Sequence, residues 1–315
     1  MKHLLSQKWF GPLVALVVVY VGFLILRPET FGRAATLLTM SQQTVIVAVA
    51  AVGATLVIVS GGIDLSVGSS VALTSVVIAK LLVRGHGPVV AAVGGCLVAT
   101  ACGTLNGVRV ARVKLLPFIV TLGTMSILRG AAKGLANEQK IDAPARGLET
   151  LLAPTASLRP PSGVFLAMVV AVLVAGILSS TRFGRHVFAV GSNERTARLC
   201  GVPVPQVKIG VYALAGFLAG LAGVLEFSML TVGDPTTAVG LELEVIAAVV
   251  IGGASLSGGE GSILGAMIGA FLMTVIKTGA THMGLPNWVQ EILTGAIILV
   301  ASGLDRLRRR SSNEL

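Results

Sequence analysis

Residues 208–230 read KIGVYALAGFLAGLAGVLEFSML, an apolar run with a lysine at its edge and Glu226 as its one acid. A helix crossing the hydrocarbon core of a bilayer needs about 20 such residues, and this run is long enough. Working outward from it, comparable stretches occur at 10–26, 44–60, 67–83, 89–108, 116–135, 164–180, 243–258, 263–282 and 288–304. Together they make ten, so the fold class is all-α: a polytopic integral membrane protein of about ten transmembrane helices with glycine-rich helix breaks. The chain reads as a single transmembrane domain, 1–315.

Composition agrees. Hydrophobic residues make up 54% of the chain and charged residues 12%, about half the share usual in soluble domains. That excludes a soluble enzyme or transcription factor. The net charge of +10, from 24 basic and 14 acidic residues, is confined to short segments between apolar runs. It is therefore a topology signal and no nucleic-acid surface. An even number of spans places both termini on one side. The segments that share that side are basic: Lys2 and Lys8; Arg109, Arg112 and Lys114; Arg182, Arg185, Arg195, Arg198 and Lys208; and Arg306 to Arg310 in the tail 305–315. The opposite side holds Glu29, Glu138, Asp142, Glu149, Asp234 and Glu242. The positive-inside rule makes the basic side cytoplasmic. The run 10–26 resembles a signal peptide, but RPETFGR follows it in place of a small-residue cleavage site, so it is expected to stay as the first helix.

Glycine pairs at G-x-x-x-G spacing, Gly130/Gly134, Gly216/Gly220 and Gly265/Gly269, let helix backbones approach closely. They fit either packing within the chain or a subunit interface. Of the cysteines, Cys96 and Cys102 share a span and Cys200 lies in a basic loop, so no disulfide or metal site is implied. The four histidines, His3, His86, His186 and His282, are scattered, H-E-x-x-H is absent, and the dipeptide Gly-Lys never occurs. A zinc protease and a P-loop ATPase are both excluded, leaving no catalytic or metal-ligating set.

The most informative soluble segment is 181–208, opening TRFGRHVFAVGSNERTARLCGVPVPQV. Asn193 can N-cap a helix, Glu194 suits its first turn, Gly201 can take the left-handed position after it and Pro203 stops it. The spacing predicts a two-turn helix, Glu194 to Cys200. A helix that short is marginal in water, so it must dock, on its own membrane domain or on a partner. A second motif, GGIDLSVGSS at 61–70, puts Asp64 at membrane depth behind the helix breakers Gly61 and Gly62. Asp64 or Ser66 can cap the helix beginning near Val67, or Asp64 can touch a solute. A third, GGASLSGGEG from Gly252 and Gly253 to Gly261, shares G-G-x-x-L-S-x-G with the second and suggests an internal repeat. The connections 61–66 and 259–262 are short enough to be breaks inside the membrane. Asn106, Arg109, Phe118, Thr121 and Glu226 are further polar or aromatic residues near span ends, placed for a solute path or for packing.

GGIDLSVGS at 61–69, LLPFIVTLGTMSILRG at 115–130, TRFGRHVFAVGSNERTARLCGV at 181–202 and IAAVVIGGASLSGGEGSILGAMIGA at 246–270 resemble, in order and spacing, the permease of bacterial ribose-type sugar ABC transporters. The resemblance covers about residues 30–304. It implies a permease in the bacterial inner membrane, a second permease copy or paralogue, a separate ATPase that carries ATP and Mg on the cytoplasmic face, and a periplasmic or lipid-anchored sugar-binding protein. It also implies that Gly191, Asn193, Glu194, Arg195, Ala197, Arg198, Leu199 and Gly201, in the pattern G-x-N-x-x-x-A-R-L-x-G, form the segment that couples to the ATPase. Similar proteins often carry an aromatic at Leu241, a basic residue at Glu260 and asparagines around Lys277 and Thr278; these departures bear on which sugar is taken. The expected function is import of a monosaccharide by alternating access. The competing readings are a permease for branched-chain amino acids or nucleosides, and an ion-coupled transporter built on Asp64.

Overall fold

The computed structural model describes residues 9–152 and 160–313, with the backbone alone for 302 and for 304–313. Lys2, Lys8 and the side chains of Arg306 to Arg310 lie outside that description. The helices are α1 (Phe10–Leu26), α2 (Pro28–Phe31), α3 (Ala34–Val59), α4 (Val67–Val83), α5 (Pro88–Ala111), α6 (Pro117–Leu135), α7 (Ser162–Ser180), α8 (Arg182–Ser192), α9 (Glu194–Leu199), α10 (Val204–Leu230), α11 (Leu241–Ile251), α12 (Ile263–His282) and α13 (Asn287–Asn313). Two short strands, β1 (Ile141–Asp142) and β2 (Val232–Gly233), pair antiparallel with Ile141 opposite Gly233. Among the described residues five helices, α3, α5, α7, α10 and α12, are long and apolar enough to cross a membrane.

α3 is the axis of the bundle. It is apolar all round and buried without interruption from Thr44 to Val59, as a helix enclosed by other helices must be. It packs against α7, α8, α10, α11 and α12. It also starts at Ala34, ten residues before the apolar run does. Thr39, Ser41 and Thr44 return their hydroxyls to carbonyls three or four residues back, so the polar stretch continues the helix without stranding a donor.

The glycine pairs divide cleanly. A Cβ at Gly216 would stand 2.5 Å from the Ala99 carbonyl oxygen, and one at Gly265 1.9 Å from that of Gly252. Those two pairs hold α10 on α5 and α12 on α11, which is packing within the chain. Around Gly130 and Gly134 nothing lies within 4 Å.

The expected span 243–258 is corrected. α11 has 11 residues, about 16 Å at the helical rise, against about 30 Å of hydrocarbon. It ends at Gly252 and Gly253, where the chain turns. The motif repeat is also out of register. Gly61 and Gly253, with φ +81 and +91, take the left-handed position that ends α3 and α11 respectively, whereas the sequence match pairs Gly61 with Gly252. The helices that follow start after Ser66 and Ser262, at different distances from the turn. What the two segments share is a helix end.

Candidate functional site

Three polar centres stand out, and the first is at the end of the bundle formed by α8 and α9. Thr181 caps α8 by accepting from the Gly184 N–H at 3.1 Å, and Asn193 Oδ1 caps α9 by accepting from the Thr196 N–H at 2.9 Å. α9 spans Glu194–Leu199, one residue shorter than the spacing predicts, and Gly201 follows it at φ +82. Ala197 is buried against the bundle, while Arg195 and Arg198 are exposed and Leu199 is 83% exposed. The helix thus docks on its own domain by one face and leaves a basic, leucine-tipped face outside. Glu194 ties the two halves, accepting from Lys208 Nζ at 2.6 Å and from Arg198 Nη2 at 2.9 Å.

Lys208 beside it holds the Glu194 carboxyl below the usual carboxylate value. A carboxylate stabilised in the folded state contributes fully above its unfolded pKa, and the contribution is lost as pH falls through the lower folded value. Amide exchange in α9 is therefore expected to stay constant from neutral pH down to the ordinary carboxylate range and to speed up below it, over and above intrinsic exchange. Glu194→Gln is expected to show the faster exchange from neutral pH down to the ordinary carboxylate range and to converge with the parent below it; identical exchange in the two proteins at neutral pH would contradict the tie.

Beneath α8, three backbones touch. The Gly259 N–H donates to the Val59 carbonyl at 2.8 Å. A Cβ at Gly191 would lie 1.7 Å from that carbonyl oxygen and 2.7 Å from Gly259 N, and one at Gly258 would lie 2.8 Å from the Gly61 Cα. Gly191 of α8 is therefore wedged against both glycine-rich breaks, 61–66 and 252–262.

The second centre is a buried chain. Asp64 Oδ1 accepts from the Ser66 N–H at 2.8 Å and its hydroxyl at 2.6 Å; Asn106 Nδ2 donates to Ser66 Oγ at 3.2 Å, and Thr124 Oγ1 donates to Asn106 Oδ1 at 2.6 Å. Thr121 Oγ1 donates to the Ile63 carbonyl at 3.1 Å. Asp64, Asn106 and Thr121 thus come together as one network that pins the start of α4 to α5 and α6. Phe118 is half exposed at the start of α6, apart from it, and Arg109 is exposed.

The third centre begins where α10 ends. The segment after β2 runs down the side of α4: Gly233 lies against Ala79, and the Ala238 carbonyl against Gly68. Those contacts are eleven residues apart on α4, about 16 Å. Irregular backbone at membrane depth persists only when buried in protein or lining a cavity, and this segment does both. Arg129 Nη1 donates to the carbonyls of Pro235 at 3.0 Å and Thr237 at 2.7 Å. Lys140 pairs with Asp234 at 3.0 Å, Thr236 caps the same carboxylate, and the Thr237 hydroxyl donates to Glu226.

Above the segment lies a cavity of about 590 Å³ between α3, α10, α11, α12 and α13, with Thr281, His282 and Gln290 in its lining, away from α8 and α9. Gln43, Glu226, Glu244, Thr274, Lys277 and Thr278 line it with the apolar Val239 and Leu241, and Lys277 is ion-paired with Glu244. Of the candidates read from sequence for a solute path, Glu226 alone reaches it. Gln43 and Glu244 in the wall and Arg129 beneath it are missed by that reading; their partners stand 235, 33 and 106 residues away, and no local pattern carries such pairs. No group of three or more metal-ligating side chains occurs among the described residues.

Residues 36–302 match the family described as "Branched-chain amino acid transport system / permease component". The chain is 37% identical over 309 residues to the ribose import permease protein RbsC of Escherichia coli K12, covering 97% of this chain and 95% of that one. It is 36% identical to RbsC of Bacillus subtilis, over 94% and 92% of the two chains, and 36% identical to the fructose import permease protein FrcC of Rhizobium meliloti, over 98% and 89%. No solved structure matches. With its apolar bundle and a family match over most of its length, the chain belongs to the branched-chain amino acid transport system permease family and is a multi-pass inner-membrane permease.

Proposed function

We propose that the chain is the membrane subunit of an ATP-driven importer of a monosaccharide, a pentose, hexose or related polyol. The observation that carries this reading is the junction at Gly191, where a capped cytoplasmic helix pair bears on the ends of α3 and on the 252–262 turn. A push on α8 and α9 reaches both helix breaks through backbone contacts alone. The cavity lies at the opposite end, and its lining mixes uncharged hydrogen-bonding groups such as Gln43, Thr274, Thr278 and Gln290 with apolar side chains, which suits a sugar. Relatives named as permeases for ribose, fructose, L-arabinose and D-allose support the substrate class.

In this reading α9 seats in a separate ATPase through Arg195, Arg198 and Leu199, with Gly191, Asn193, Glu194, Ala197 and Gly201 building the helix and its ends. ATP and Mg are bound by the ATPase, and this chain has no catalytic residue or cofactor of its own. Both termini are cytoplasmic. A sugar-binding protein delivers its ligand at the cavity mouth, and a second copy or a paralogue completes the pathway. Segment 61–66 acts as the hinge of α4 and 252–262 as the hinge of α12, while Asp64, Asn106 and Thr121 hold the first hinge and Glu226 faces the solute.

A mild-detergent pull-down of the tagged chain from its native membrane is expected to recover a Walker-motif ATPase and a sugar-binding protein. The reversed-charge variant Glu194→Lys is expected to insert normally and to lose most of the ATPase. A chain that comes alone even after crosslinking would overturn the coupling role of α9.

A further inference from the structure

The cavity is polar, but its one ammonium is already engaged. Lys277 reaches in from α12 with its side chain 42% exposed, and the Glu244 carboxylate behind it, 15% exposed, pairs with it. A second carboxyl, Glu226, faces the same space and takes a hydrogen bond from Thr237. Among the described lining residues no other lysine or arginine is present. Arg129 is turned to the Pro235 and Thr237 carbonyls underneath. His282, also in the lining, has its ring edge-on to Phe31 at 5.8 Å. The wall therefore presents two carboxyls against one lysine.

We propose that Glu226, Glu244 and Lys277 make the cavity a charge filter that passes uncharged polyhydroxylated solutes and turns away anionic ones, such as a uronate or a sugar phosphate. The inference rests on the reading of this cavity as the solute path. Hydroxyl groups alone do not reject an anionic sugar, because it carries the same ring hydroxyls as the neutral one. An unpaired lysine would attract it, since an ammonium binds carboxylate and phosphate as a point charge. Glu244 removes that attraction, and Glu226 adds repulsion in a site where water screens poorly.

The test uses the full chain in right-side-out membrane vesicles, with Cys96, Cys102 and Cys200 replaced by serine and one thiol introduced by Thr278→Cys. Its labelling rate is measured with trimethylammonium-ethyl, hydroxyethyl and sulfonatoethyl methanethiosulfonates, each normalised to the same reagent on a small free thiol. The cationic reagent is expected to be roughly tenfold faster than the anionic one, with the neutral one between. Adding Glu244→Gln is expected to raise the anionic rate to at least the neutral rate, and adding Lys277→Gln on top of it to restore the original order. That restoration follows from charge and not from local unfolding, which would speed all three reagents together. Equal rates for anionic and neutral reagents without the Glu244 change overturn the filter alone. Labelling by none of the three overturns the reading of the cavity as a path open to the outside, and the filter with it.

Discussion

A Gly191→Val protein is expected to insert in the membrane and to transport nothing. The smallest side chain beyond hydrogen would place carbon 1.7 Å from the Val59 carbonyl oxygen, 2.7 Å from Gly259 N and 2.8 Å from the Val59 carbonyl carbon. All three atoms are backbone, so no rotamer change makes room. Relief requires α8 to lift off the end of α3 and off the 252–262 turn, which parts the α8–α9 pair from both breaks. Overpacking of a close-packed interior costs about 1–3 kcal/mol and more where nothing yields, so a loss at or above the top of that range is expected. Thermal unfolding in detergent and protease cleavage around Arg195 and Arg198 read the two consequences separately. Gly130→Val is the control, because nothing lies within 4 Å of that position, and its unfolding temperature should match the parent. Uptake at the parental rate in Gly191→Val would remove the junction from any account of coupling.

The second large effect is expected from Arg129→Met. The guanidinium supplies the donor to two carbonyls, Pro235 at 3.0 Å and Thr237 at 2.7 Å, in a segment that makes no helix of its own. Each buried carbonyl left without a partner costs about 1–3 kcal/mol. A destabilisation of roughly 2–6 kcal/mol follows from the two together. It should appear as a lower unfolding temperature and as accelerated labelling of a thiol introduced by Thr236→Cys. Arg129→Lys keeps one charged donor but lacks the planar fork, so it should recover part of the loss. A protein with Arg129→Met as stable as the parent would show that the segment is held by β1, Lys140 and Glu226 without it.

Much of this fold is legible in the sequence because hydrocarbon imposes length and composition directly. Apolar runs locate nine long helices, and Asn193, Glu194, Gly201 and Pro203 define α9 to within one residue. The failures have physical causes. α3 extends through TLLTMSQQT because its hydroxyls bond back to its own carbonyls, which a count of apolar residues registers as polarity. α11 is overestimated because Gly, Ala and Leu after Ile251 count as apolar while the left-handed turn at Gly253 ends the helix. The descent of 234–240 along α4 is invisible locally, since the groups that make it tolerable, Arg129 and Glu226, sit on other helices. Asp64 and Asn106 are conspicuous as polar residues among apolar ones, and their joining through Ser66 is a tertiary fact.

The enclosure of α3 sets the order in which the protein can come together. Apart from the four-residue α2 just before it, the helices that wrap it, α7, α8, α10, α11 and α12, all leave the ribosome more than a hundred residues after its last turn. Its valines and alanines wait at no cost, because lipid tails are as apolar as the neighbours that will replace them. Gln42 and Gln43 do not: the Leu152 carbonyl that takes the Gln42 amide and the Thr278 hydroxyl at Gln43 are still unsynthesised. The nascent second span therefore carries the Gln42 amide unmatched until residue 152 is made and the Gln43 amide until residue 278, and the late arrival of α12 is what finally closes the bundle around it.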